Sequence, residues 1–162
     1  MAHQGTKNKS IAKIFASMGL ILLAFGISPG AGSRSSADEW DEAFNTARAV
    51  LAKMPDPARL DAAIKDEALR KAVRRAYDSL KACAKVHPAQ NRATKVGTLA
   101  EFERSFKAVQ TLAENSDYKD CAKKCSTDGE ACAKDCASAR KRLCGCKLTE
   151  FGCFAIKCVI GQ

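Results

Sequence analysis

The chain has 162 residues, 27 of them basic and 18 acidic, for a formal net charge of +9. With 46% hydrophobic and 6% aromatic residues it is no disordered or low-complexity polymer, and it is long enough for one domain with a modest core. Stacking aromatics are sparse, and the charge left once a targeting signal is removed is too small to argue for nucleic-acid binding alone.

The first segment reads as a targeting signal. Lys7, Lys9 and Lys13 precede or begin an apolar run of fourteen residues, Ile14 to Ile27. That length is short for a bilayer span and suits a secretory h-region. Small residues follow Pro29, and cleavage is expected after Ser33 or Ala37. Residues 1–37 are therefore assigned to a signal peptide, and the mature chain to a secreted or periplasmic location. Removing residues 1–37 takes away Lys7, Lys9, Lys13 and Arg34, which leaves 23 basic against 18 acidic residues, a net charge of +5. Residues 38–117 are nearly neutral, with 14 basic and 13 acidic residues, whereas residues 118–162 carry 9 and 5. The positive charge travels with the C-terminal segment.

Residues 38–54 predict an amphipathic helix, because Trp40, Phe44, Ala47, Leu51 and Met54 recur on one face. Asp38, Glu39, Asp41 and Glu42 suit its first turn, at the positive end of the helix dipole. Pro55 stops it. Asp56-Pro57 is an N-cap followed by a proline at the first helical position, which starts a second helix toward Val86. Leu69, Val73, Ala76, Leu80 and Cys83 share a face there. Leu60 and Ile64 are out of phase with them, so a break near Lys65-Asp66 is expected. His87-Pro88 ends the helix. Residues 88–97 read as a polar loop. Thr98 and Glu101 match a capping box that opens a third helix with Phe102, Phe106, Val109 and Ala113 on its buried stripe.

Eight of the nine cysteines follow: Cys121, Cys125, Cys132, Cys136, Cys144, Cys146, Cys153 and Cys158. In an exported chain these are disulfide candidates. At about 100° per residue the first four fall on one stripe of a continuous helix. That stripe would then pair with the last four folding back on it. The alternative is a helical hairpin. Residues 126–130 are turn-like, and Thr127 with Glu130 forms a second capping-box match. Antiparallel packing would then join Cys121 to Cys136 and Cys125 to Cys132. Cys121-x-x-x-Cys125 and Cys132-x-x-x-Cys136 resemble the plant α-hairpinin peptides, whose implied activities are antimicrobial or protease-inhibiting. Their connection here is shorter than that family's. CxxxC on an exported helical bundle is also similar to the copper-storage bundles, where the thiols are spread over several helices. In this chain the first three helices hold only Cys83. Cys144-Gly145-Cys146 is a pair able to chelate a soft ion or exchange with thiols.

Cys83 and His87 stand at the spacing of a nucleophile and base on one helix face. Pro88 interrupts that helix, and a core cysteine beside a helix-terminal histidine is the simpler reading. No paired acids favour acid–base work. Arg140, Lys141 and Arg142 end the fourth helix. Phe154, Ile156, Cys158 and Ile160 alternate as in a short strand.

Together these features predict an all-α protein, a small bundle of about four helices with a disulfide-rich C-terminal module. A three-helix body over residues 38–117 would carry a cysteine-rich basic module over residues 118–162, packed on it as one domain. The expected function is non-enzymatic, with no cofactor and no resident metal. The chain would bind a protein partner or an anionic surface through Arg140, Lys141, Arg142, Lys147, Phe151 and Phe154. A membrane-active peptide behind a helical pro-region is one alternative. A thiolate carrier for Cu(I) or another soft metal is the other. The odd thiol, Cys83, is the candidate for bridging two chains.

Overall fold

The computed structural model describes residues 36–139 and 143–161, with side chains from Trp40 onward. Residues 1–35 of the signal-peptide assignment and the Arg140-Lys141-Arg142 run lie outside the described residues. Helix α1 spans Ser36–Lys53, α2 Pro57–Ala63, α3 Glu67–Ala84, α4 Arg92–Ala113, α5 Lys119–Ser138 and α6 Cys146–Cys153. A π-helix, Phe154–Ile160, continues α6. Among the described residues there is no strand, and no helix is long and apolar enough to cross a membrane.

Local signals set most of these boundaries. The Asp56 carboxylate accepts the Ala58 amide at 2.8 Å, with Pro57 opening α2. Ile64 turns extended, and Asp66 restarts the chain by accepting the Leu69 amide at 2.6 Å. The expected break near Lys65-Asp66 therefore makes two helices of one. Arg48, on α1, closes the far end of α3. Its guanidinium donates to the carbonyls of Ala84 at 3.0 Å and Val86 at 2.6 Å. Those acceptors lack helical partners, and a cation suits that end of the dipole.

Two capping-box readings fail for one reason. The Asn91 side chain already accepts the Thr94 amide at 2.9 Å, so α4 begins inside the expected loop. Once the helix runs through, the Thr98 hydroxyl turns back to the Thr94 carbonyl at 2.9 Å and caps nothing. Gly97 sits in open space on this helix, where it costs about 1 kcal/mol relative to alanine. Thr127 behaves likewise, donating to the Lys123 carbonyl at 3.0 Å within an unbroken α5. The hairpin is thus replaced by one continuous helix.

The expected strand at Phe154–Ile160 is also replaced by helix. Phe154, Ala155, Cys158 and Val159 are buried while Ile156 and Lys157 are exposed. Burial in pairs four residues apart is helical, not alternating.

The core explains how alanine-rich stripes suffice. Phe44, Leu69, Val73, Leu80, Phe102, Phe106 and Val109 come from the body, and Leu148, Phe151, Phe154, Cys158 and Val159 from the C-terminal segment. Phe151 meets Phe102 and Phe106 edge to face, with ring centroids 5.9 and 5.5 Å apart. Tyr118 meets Phe154 at 6.0 Å and donates to the Ala63 carbonyl at 3.2 Å. Each such side chain, fully buried, contributes about 1.5–3 kcal/mol. The C-terminal aromatics are therefore core residues, and Phe151 and Phe154 offer no surface to a partner.

Candidate binding surfaces of the cysteine-rich module

Four disulfides join α5 to the returning chain: Cys121–Cys158, Cys125–Cys153, Cys132–Cys146 and Cys136–Cys144. The pairs are nested, so α6 and the π-helix run antiparallel to α5. Cys125 and Cys132 are seven residues apart, two helical turns, and so are their partners Cys146 and Cys153. Cys121 and Cys125 are four apart, but their partners Cys158 and Cys153 are five apart. On an α-helix a five-residue step would separate side chains by about 140°. The wider i→i+5 turn of the π-helix brings Cys158 back to the face that meets Cys121. The eight cysteines thus form a ladder along one stripe of α5, as the continuous-helix alternative requires. Four intramolecular disulfides fit an oxidising, extracytoplasmic environment.

Cys144-Gly145-Cys146 is not a chelating or redox pair in this arrangement, since its cysteines bond to different rungs. Gly145 has φ 64°, the left-handed region that favours glycine, and it turns the chain between those rungs. Cys125 Sγ and Cys158 Sγ lie 3.8 Å apart, and with Cys121 the three sulfurs lie within 4.8 Å of one another. They belong to two disulfides, and oxidised sulfur is not the thiolate that a soft metal binds.

Cys83 is the free cysteine, fully buried, with its thiol donating toward the Thr98 carbonyl at 3.6 Å. Burial pushes its pKa up to about 11. It is not presented to a second chain, so the proposed intermolecular bridge has no accessible sulfur. Helix α3 ends at Ala84, and His87 Nδ1 accepts the Ala89 amide at 3.1 Å, so thiol and imidazole do not form a pair.

Beneath the ladder lies Glu150, only 3% exposed. Its Oε1 accepts from Gln110 Nε2 at 2.6 Å, and its Oε2 pairs with Lys147 Nζ at 2.7 Å. Lys147, expected to face a partner, is committed to this ion pair. Gly129 makes room for it: a Cβ there would stand 2.7 Å from Glu150 Oε2. Gly152 does the same for α1, since its Cβ would meet Val50 Cγ1 at 2.7 Å. Neither glycine stood out in the sequence. Gly129 falls within residues 126–130, whose turn-like reading accounts for it without any contact to Glu150.

Two surfaces among the described residues bear on binding. The first is a groove of about 410 Å³ between α1 and α5, floored by α6 and the π-helix. Helix α1 contributes Thr46, Ala49, Val50 and Lys53, and α5 contributes Cys125, Asp128, Gly129 and Cys132. Both sets follow the i, i+3, i+4, i+7 spacing of a single helix face. The second is the solvent side of the first turns of α5, where Lys119, Lys123 and Lys124 are exposed. Among the described residues none of these three is ion-paired.

No protein-family model, no curated protein and no solved structure matches this chain.

Proposed function

We propose that the chain is an exported, secreted or periplasmic, non-enzymatic binding protein that holds an acidic protein partner against the basic end of its cysteine-rich module. The observation that carries this reading is the lysine cluster at the start of α5. Lys119 opposes the dipole in the first turn and repels Lys123 four residues on, whereas Asp120 suits that turn and stands four residues before Lys124. Helix electrostatics therefore do not require the three lysines, which are exposed. The ladder holds another face of α5 on α6 and leaves these lysines exposed, Lys119 and Lys123 at the rim of a hollow shared with Glu114. In the sequence Arg140, Lys141 and Arg142 add three further positive charges to the cysteine-rich segment. A membrane-active tail has less support, because its apolar residues Phe151, Phe154 and Val159 are packed in the core.

The test is titration of the oxidised protein with a glutamate-rich peptide over a range of salt. Replacing Lys119, Lys123 and Lys124 with glutamate weakens binding and flattens its salt dependence. Unchanged affinity in that variant would overturn the reading. Dye release from anionic vesicles by the unmodified protein would move the function to the membrane alternative.

A further inference from the structure

The groove between α1 and α5 is independent of the lysine cluster. We propose that it binds a single-chain amphipathic anion, an alkyl carboxylate or close analogue, with the acid group held by Lys53 and Lys157.

Its volume of about 410 Å³ lies in the range of small-ligand sites, roughly 300–1,000 Å³. Its walls are mainly apolar: Ala49, Val50 and Ile156, with the sulfurs of Cys125, Cys132 and Cys153. Ile156 is one of two large apolar side chains left exposed among the described residues, and it opens into this groove. The buried acid in the floor asks nothing of a ligand, because Gln110 and Lys147 already occupy both oxygens of Glu150. Gly129 is held against the Glu150 side chain and Gly152 against the Val50 side chain, so α1 and α5 each approach α6 with a single side chain between the backbones.

Charge sets the class and direction of the occupant. Thr46 packs at Gly145 and Val50 at Gly152, so α1 runs parallel to α6. Lys53 therefore lies toward the π-helix, where Lys157 also lines the groove. Among the described residues neither lysine is ion-paired. The third charged group facing the groove without a partner is Asp128, one residue before the glycine that meets Glu150, and so nearer the other end. Two cations at one end and an apolar trough leading away from them complement an anionic head with an aliphatic tail. A cationic or neutral head of the same length lacks that match. Both lysines can lay their methylene stems along the trough while their ammonium groups reach the head.

The experiment is calorimetric titration of the oxidised protein with decanoate, decanol and decyltrimethylammonium below their micelle concentrations. Decanoate binds one to one, more tightly than decanol, and decyltrimethylammonium binds least. Lys53→Gln with Lys157→Gln weakens decanoate by about tenfold or more, the worth of a charge-assisted contact, and leaves decanol unchanged. Asp128→Asn strengthens decanoate. Ala49→Trp, at an exposed position on the groove wall, abolishes binding of both. The assignment is overturned by absence of saturable decanoate binding, by equal affinity for the cationic amphiphile, or by decanoate binding that survives Ala49→Trp.

Discussion

Glu150 shows how one residue shapes its surroundings. A carboxylate taken out of water needs partners, and Gln110 and Lys147 supply them. It also needs space, which Gly129 supplies by having no side chain. Gly129→Ala is expected to cost about 1–3 kcal/mol, as overpacking at a fixed site does. Pairing it with Glu150→Ala should recover part of that loss, because the clash partner is removed. Urea denaturation of the two single variants and the double variant checks this, and additive costs would mean that the two residues are uncoupled. Cys83 gives a second prediction. Its folded pKa of about 11 exceeds the ordinary value of 9.0 because burial disfavours the thiolate. Between pH 9 and 11 the unfolded chain has lost the proton that the folded chain keeps, so stability is full below pH 9 and falls as pH rises toward 11. Cys83→Ala should lose the part of this decline that begins near pH 9 in thermal melts, while Tyr77 and Tyr118, which burial also pushes above their ordinary value of 10.0, keep a decline above pH 10. In the wild-type protein one thiol should react with an alkylating agent only after unfolding.

At the level of helices, the informative cases are those with two competing starts. Thr98-x-x-Glu101 and Asn91 both offer caps to the same helix, and the earlier one prevails because it adds helical turns at the cost of one interior glycine. Asn91→Ala should therefore lower stability by about 1 kcal/mol, the usual worth of an N-cap. Thr98→Ala should be nearly neutral. A melt showing the reverse order would place the helix start at Thr98. The π-helix raises a different question, that of register. Residues 151–160 hold apolar side chains in positions that read as either strand or helix. The strand reading counted Phe154, Ile156, Cys158 and Ile160. Contacts with Tyr118 and the four-residue burial rhythm favour the other set, and the wider turn then sets Cys158 opposite Cys121.

Across the whole molecule, the body and the module depend on one another. The buried stripe of α4 carries Phe102 and Phe106, and Phe151 of the module packs edge to face on both. Phe151→Ala should cost about 3–5 kcal/mol, as a large core truncation does. It should also lower a single cooperative transition, observed together by circular dichroism and by Trp40 fluorescence. Two separate transitions would show that module and body fold independently. The ladder adds restraint on the unfolded chain. A loop of about 15 residues is worth about 3 kcal/mol in the chain-entropy account, and nested loops share that gain instead of summing it. Intact mass of native protein should show the loss of eight hydrogens, and non-reducing peptide maps should give the four nested pairs. Pairing of Cys121 with Cys136 would restore the hairpin.

Caps, prolines and 3.6-residue periodicity act within about four residues, so the helical class, the Asp56-Pro57 start and the break near Asp66 were legible in the sequence, while the thiol stripe of α5 stood beside the hairpin as one of two alternatives. Eight cysteines allow about a hundred pairings, and nothing within a few residues selects among them. Only the tertiary structure decided the nested order, because it depends on how Phe151 and Phe154 seat the returning chain against α2 and α4 and Tyr118. The same holds for Gly129, whose neighbour Glu150 is twenty-one residues away in sequence. The groove belongs there too. Its walls are faces of α1 and α5 far apart in sequence, brought together where both helices pack on α6.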